Sequence, residues 1–416
     1  MRDAVVIGAG IAGLAAAIRL ADAGASVTLV TKGIGGLQLS QGTIDILGYA
    51  PEKVGAPLEK IPAYIRSRPG HPYTHFTPAE IGEAARWSRD LLGEDLLVGD
   101  PEHNVILPTA VGALRPTALP QPSMMAGVPT HGKHYVIVGL ERLKDFSALL
   151  IANNLARQTT IQGGPLQARA ITVDVEIRPG EYDTNGVNHA RAFDTEEARD
   201  RLVAAIKPHL REGEVVGLPA VLGLNDRDAW KDIRDKLGHE VFEIPLPPPS
   251  VPGMRLNQAL TEIAKGKVRI LMGAAVIDHE EKDGRLVSVT VSSAGHHKVL
   301  RASHFVLAAG GFESGALEMD SYCVVRDTVL GLPLVGTEGQ LLHADFWGAD
   351  QPLFLSGIAV DDQMRPIDED GAVVLENVRA AGGCLAGATR WREKSGEGIA
   401  LATALRAADS IVEALR

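Results

Sequence analysis

Two cysteines in 416 residues, Cys323 and Cys384, are too few and too far apart for a disulfide framework or an iron–sulfur cluster held by this chain alone. No C-x-x-C pair occurs, and both thiols are expected to be reduced and buried, as in a cytoplasmic protein. Basic residues are not concentrated anywhere. The formal charge of -11 argues against nucleic acid, whose binding rewards basic surface through counterion release. No run reads as a membrane span, because the most apolar stretch, Ala9 to Ala25, is broken by glycines, Arg19 and Asp22. The basic start, apolar run and cleavage site of an export signal are missing too. A cytoplasmic location follows as the expectation, with any attachment to the inner face of the membrane supplied by a partner. What remains is a chain with 45% hydrophobic residues, enough for a sizeable core in two domains or in one with a large insertion.

Order is clearest at the two ends. Ala4-Val5-Val6-Ile7 is an apolar run suited to a parallel sheet buried on both faces. Ile11 to Ala23 is rich in alanine and leucine, stops at Gly24, and leads to Val27-Thr28-Leu29-Val30. From Tyr49 to about Pro129 prolines are dense and periodicity is weak, with a helix predicted from Ala79 to Leu92. A second helix is predicted over Asp194–Leu210 behind an Asp-Thr-Glu-Glu cap. The run Leu246 to Gly253, with four prolines, reads as an irregular boundary. Beyond it come a helix (Met254–Lys265), a strand (Val268–Met272) and a hairpin turning at Lys282-Asp283-Gly284 into Val287–Ser292. Another buried strand covers Phe305–Ala308, and the chain closes with a strand near Val378–Ala381 and a helix over Gly398–Leu415.

The phosphate-binding signal is Gly8-x-Gly10-x-x-Gly13, placed after a strand and at the opening of a helix. Gly8 permits the tight turn, Gly10 admits a pyrophosphate to the backbone, and Gly13 with Ala17 keeps helix and strand close. The unsatisfied N–H groups of the helix start then face the phosphates. The acid that normally ends the second strand and holds the ribose is replaced by Thr31-Lys32. Either Thr31 and backbone groups hold the ribose, or the adenosine half is held loosely or is absent.

Three further segments favour a flavin over a nicotinamide. Gly35 to Thr43 is a small polar loop in which Ser40, Gln41 and Gly42 can follow a flavin ring. Phe305 to Phe312 brings Ala309 and Gly310 to the end of a strand. Ala381 to Gly387, including Gly383, precedes Ser395-Gly396-Glu397-Gly398-Ile399. A helix starting near Gly398 aims its positive end at the flavin's pyrimidine edge, where negative charge builds on reduction. The expected fold is α/β: a Rossmann-like dinucleotide-binding domain of the two-dinucleotide-binding-fold flavoprotein class, formed by residues 1–50, 252–315 and 375–416. An α+β cap, residues 51–251 and 316–374, is inserted into it.

These motifs resemble the fumarate reductase and L-aspartate oxidase branch of flavoproteins, including the Thr-Lys end of the second strand. The middle of the chain is more specific. Leu107 to Thr117, Val136 to Leu140 with Leu143 to Phe146, and Pro249 to Leu256 resemble the B subunit of anaerobic glycerol-3-phosphate dehydrogenase over nearly the whole chain. The resemblance implies an FMN-carrying subunit joined to a larger FAD-containing catalytic subunit. An iron–sulfur subunit then connects the pair to the membrane and the quinone pool. The complete glycine turn points instead to FAD, since FMN has no pyrophosphate to cradle.

Arg115 and Arg255, in proline-rich segments, are candidates to grip a phosphate bidentately, against the plainer role of a loop-pinning salt bridge. Arg390 and Arg392 lie beside the last flavin motif and face either the substrate and flavin or solvent. His131 and His134 have no third partner at zinc-like spacing, so no metal is expected. His296-His297 reads as a solvated turn, and no residue stands out as the base that oxidation of an alcohol needs. Three functions follow: a glycerol-3-phosphate-oxidising subunit, a non-catalytic flavin-bearing assembly and electron-transfer module, or an independent fumarate reductase-like oxidoreductase.

Overall fold

The computed structural model describes residues 2–345 and 347–416. Arg2–Ile7 and Val27–Thr31 form adjacent parallel strands joined by the helix Ile11–Asp22. They lie within a seven-stranded sheet. Its parallel part runs Val378–Ala380, His296–Leu307, Arg2–Ile7, Val27–Thr31, Arg269–Met272. The hairpin Ala274–Lys282 and Arg285–Ser293 pairs antiparallel with the first half of His296–Leu307. Its turn is two residues long, with Asp283 and Gly284 at φ 52° and 69°, the left-handed pair that matches strand twist.

The strand His296–Leu307 therefore serves two neighbourhoods. Its second half is buried and parallel to Arg2–Ile7, while its start is exposed along the hairpin. His296 and His297 belong to this exposed start and not to a turn; the turn lies at Ala294-Gly295. The C-terminal helix, Gly396–Leu415, packs against Ile11–Asp22. Alanines dominate the buried positions of both, and Arg19 clamps Asp409 through two bonds of 2.7 and 3.1 Å. Of the two thiols, Cys384 is buried as expected, whereas Cys323 is exposed.

A second sheet has four parallel strands in the order Gln167–Val173, His134–Leu140, Glu214–Pro219, Val241–Ile244. The inserted segment is thus wound α/β, not the expected α+β mixture. The half-buried edge strand Gln167–Val173, with small Ala168 and Ala170 among its inward residues, and the short helix Gly186–Ala192 hid this in the sequence. The apolar clusters also divide the chain differently from the expected boundaries. Buried side chains between Val54 and Leu119, and again Leu330, Leu332, Ile358, Val360 and Met364, join the core of the large sheet. The separate core begins near Leu114 and ends at Val251.

One helix joins the two cores. It begins at Val251, inside the stretch that read as irregular, because the Ser250 hydroxyl accepts from the Gly253 N–H and Pro252 occupies the first turn, where a missing N–H costs nothing. Val251 belongs to the inserted core, whereas Leu256, Ala259, Leu260 and Ala264 belong to the large one. The helix predicted over Asp194–Leu210 is shorter, Glu196–Ile206, and tightens into a single 3-10 turn at Pro208.

Candidate functional site

At the carboxyl ends of the parallel strands the first glycine turn closes as its spacing demands. Gly8 has φ 112°, and a Cβ there would stand 2.1 Å from the Ala308 carbonyl oxygen. A Cβ on Gly13 would stand 1.9 Å from the Gly8 carbonyl oxygen, so this glycine sets the approach of helix and strand. Gly10 differs: a Cβ there would meet nothing within 4 Å, because it would project into a cavity. The helix behind Gly10 has no side-chain cap and no acid in its first turn, which leaves its N–H groups and positive end for an anion.

The cavity holds about 530 Å³ and is continuous along every segment the motifs singled out. Its lining includes Gly8 to Ala12, Thr31 to Ser40, Ala274 to Val276, Ala308 to Gly310, Gly383, Arg390, Gly396, Glu397 and Ala400. Thr31 and Lys32 both line it. The Thr31 hydroxyl is turned onto its own loop, donating to the Gly33 carbonyl at 2.5 Å. Ser40 lines the cavity, but its hydroxyl donates to the Leu37 carbonyl at 2.9 Å and accepts from the Gly42 N–H at 3.1 Å. Next to it Gln41 is not among the residues lining the cavity, and its buried Oε1 has no hydrogen-bond partner. Gly42 lies behind the loop, with its carbonyl held by Gln121 at 3.1 Å and its Cα against Pro252.

Of the residues expected from the last motif, Gly396 lines the cavity, while Ser395, Gly398 and Ile399 do not. The C-terminal helix starts at Gly396, so Gly396, Glu397 and Ala400 reach the cavity. Ser395, Gly398 and Ile399 are buried behind them. Gly398 donates to the Asp45 carbonyl at 3.0 Å and leaves no room beside the Tyr73 hydroxyl. Ser395 donates to Glu393 at 3.0 Å.

Glu393 fixes this turn. Its carboxylate is buried and accepts from His71 Nε2 (3.0 Å), the Thr389 N–H (2.9 Å), the Thr389 hydroxyl (3.1 Å) and Ser395. His71 Nδ1 accepts from the Tyr73 N–H, leaving Nε2 as the donor. Burial pushes the Glu393 carboxyl up, but the His71 contact and the other donors outweigh it and bring its pKa down to about 2. A depressed acid stabilises the fold above its ordinary value of 4.5, and that contribution is lost as pH falls toward 2. Glu393→Gln is therefore expected to flatten the acid limb of a melting-temperature–pH curve by one titrating group. It should also cost about 1–3 kcal/mol at neutral pH, because an amide cannot accept four donors.

Of the four arginines proposed for substrate, Arg390 lines the cavity. Arg115 is buried in a polar knot, its Nη1 2.6 Å from Asp45 and its Nη2 2.8 Å from the Thr43 hydroxyl. Arg255 stands on a helix, where Glu243 and three further acceptors take up its guanidinium. That reading of Arg255 is corrected: it is an internal cross-link with no face left for a ligand. Arg392 pairs with Asp350 at the surface.

The residues missed by sequence reasoning are Glu397, Glu313 and the Ala274–Val276 strand start. Ser-Gly-Glu-Gly carried a signal for Glu397, an acid in the first turn of a helix, but only with the helix start correctly placed at Gly396. Burial, then Asp45, pushes the Glu397 pKa up to about 7. Among the described residues, no group of three or more histidine, cysteine, aspartate or glutamate side chains is placed to hold a metal, and no helix is long and apolar enough to cross a membrane.

A glycine-turned parallel sheet, an uncapped helix aimed at an anion, and a second helix start at the far wall of the same cavity define a dinucleotide-type flavoprotein. A family profile described as FAD binding domain matches residues 3–399. The chain is 30% identical to the B subunit of a probable anaerobic glycerol-3-phosphate dehydrogenase of Halobacterium salinarum, covering 99% of this chain and 98% of the relative. It is 30% identical, with the same coverage, to the B subunit of the anaerobic glycerol-3-phosphate dehydrogenase of Yersinia pestis. The chain belongs to this family of glycerol-3-phosphate dehydrogenase B subunits, within the flavoproteins that share the FAD-binding domain. Among solved structures, 3-ketosteroid-delta4-(5alpha)-dehydrogenase from Rhodococcus jostii RHA1 is similar at 12% identity, TM-score 0.45, covering 99% of this chain and 96% of that one. A flavocytochrome c3 fumarate reductase is similar at 11% identity, TM-score 0.43, covering 99% and 78%.

Proposed function

We propose that this chain is the flavin-bearing subunit of an anaerobic sn-glycerol-3-phosphate dehydrogenase. In that role glycerol 3-phosphate would give its C2 hydride to the flavin and its hydroxyl proton to water, leaving dihydroxyacetone phosphate. Electrons pass to an iron–sulfur partner and the quinone pool, and a larger FAD-containing subunit completes the assembly. The observation that carries the flavin part is the single cavity lined by both Gly10 and Gly396. Its further lining by Thr31, Lys32 and Ala275 leaves space beyond the phosphates for an adenosine, which favours FAD over FMN. In such a site the isoalloxazine ring supplies two-electron chemistry. Gly8, Gly10 and the helix start would hold the phosphates, Ser40 and Gly383 would border the ring with Gln41 next in the same loop, and Arg390 would orient an anionic substrate.

A second reading keeps the flavin and removes the substrate chemistry. Among the described residues, the ionisable groups lining the cavity are Lys32, Glu313, Arg390 and Glu397, and the histidines lie elsewhere. With no histidine there to take the hydroxyl proton, the chain would be an assembly and electron-transfer module whose partner oxidises the alcohol. One preparation separates the readings. The purified chain should release FAD, identified by mass after denaturation, and reduce an artificial acceptor with glycerol 3-phosphate. FAD without turnover supports the module; FMN empties the adenosine end; no flavin in a folded, reconstituted sample removes both.

A further inference from the structure

We infer that Glu397 is the redox-linked proton-holding residue of this cavity. Its carboxylate takes up one proton from solvent as two electrons add negative charge at the neighbouring pyrimidine edge, and returns it when those electrons leave. The inference rests on the flavin reading above. The electrons come from the hydride donor and go to the acceptor; the proton comes from water and goes back to it, so the carboxyl is unchanged over a cycle.

The placement is specific. Glu397 stands in the first turn of Gly396–Leu415, between Gly396 and Ala400 on the cavity wall. An acid at a helix start ordinarily stays ionised and complements the dipole. Here the buried Asp45 lies behind it, held by Arg115, Thr43 and Thr117. Burial and Asp45 raise its pKa to about 7, against the pull of its own N–H, Arg115 and Lys394. Arg390 and Glu313 complete the charged groups lining this part of the cavity. Tyr73, behind the helix, is kept well above 10 by burial and by Glu393, Glu397 and Asp45, so it stays neutral and does not compete. A carboxyl poised near neutrality responds to a new adjacent negative charge by binding a proton, because like charges disfavour its ionised form. Had Glu397 been exposed, its ionisation would be complete at neutral pH and no such response would follow.

The test is the midpoint potential of the bound flavin against pH. Each proton bound per two electrons contributes about 30 mV per pH unit. Near pH 8 the wild-type protein is expected to show two protons, about 59 mV per pH unit, and Glu397→Gln one. Near pH 5.5, where Glu397 is already protonated, the two proteins should coincide. Glu397→Asp should keep part of the excess slope, which a purely structural role would not produce. A wild-type slope of one proton from pH 6 to 9 overturns the inference whatever the variants do. The apoprotein gives an independent readout: a carboxyl infrared band absent from Glu397→Gln should titrate near neutrality, and titration below pH 5 also overturns it. Failure to bind flavin, even with that band titrating as expected, would overturn the flavin reading and the redox link with it, whereas a flavin-loaded protein with a one-proton slope overturns the Glu397 inference alone.

Discussion

Replacing Arg255 with methionine is expected to destabilise the protein by about 3–5 kcal/mol, the cost of stranding a buried charge. The Arg255 and Glu243 side chains are 5% and 0% exposed, and they meet through bonds of 2.6 and 3.0 Å. Glu243 also accepts from Ser123 and the Leu222 N–H, while Arg255 donates to Gln121 and to the carbonyls of Leu222 and Gly223. Removing the cation leaves the buried Glu243 carboxyl without its charge partner and three acceptors without their donor. Denaturant unfolding should show the loss as a shifted midpoint. The double variant Arg255→Met, Glu243→Leu should recover part of it, because replacing both charges removes the desolvation cost. A glycerol-3-phosphate KM unchanged in the folded fraction would agree with a structural role; a large rise in KM with normal stability would return Arg255 to the substrate list.

Gly10→Val should do the opposite, leaving the fold intact and removing the flavin. A side chain at Gly10 has open space before it, so the apoprotein should lose only about 1 kcal/mol, the cost of valine at a helix N-cap. That space is where the pyrophosphate lies in the proposed complex, and overfilling a packed contact costs about 1–3 kcal/mol, which is roughly 5- to 150-fold in affinity. Titration of FAD into apoprotein, followed by fluorescence quenching, measures it. Gly13→Ala is the control. Its Cβ would meet the Gly8 carbonyl oxygen at 1.9 Å, so it should lower apoprotein stability as well as flavin content. Equal flavin affinity in Gly10→Val and wild type would remove the phosphates from this turn.

The glycine turn was legible because its reasons are local: a positive φ at Gly8, a close crossing at Gly13 and an open side at Gly10 all arise within one short run of the chain. The hairpin at Asp283-Gly284 was readable for the same reason. Arg255 was not, because its neighbours Gln121, Leu222 and Glu243 are distant in sequence, and the prolines before it disguised a helix start whose cap is one serine hydroxyl. Distance in sequence also hid the parallel sheet of the insertion. Gln167–Val173 is an edge strand with small Ala168 and Ala170 among its inward residues, and nothing local announces that it lies beside His134–Leu140. At the far end, a helix start two residues earlier kept Gly396 on the cavity, added Glu397, and drew Gly398 and Ile399 behind the wall.

The helix Val251–Lys265 touches more than its two cores. The Ser250 N–H donates to the Gln38 carbonyl at 2.8 Å and Asn257 to the Ile34 carbonyl at 2.6 Å, while Gly253 lies against Leu37. Those three residues of the 34–38 loop form part of the cavity wall. The helix is thus a lever whose fulcrum is that loop, with one arm in the flavin-side core and the other in the four-stranded unit. An occupant that orders this loop would therefore bear on the same contacts that seat the four-stranded unit, although it touches no strand of it.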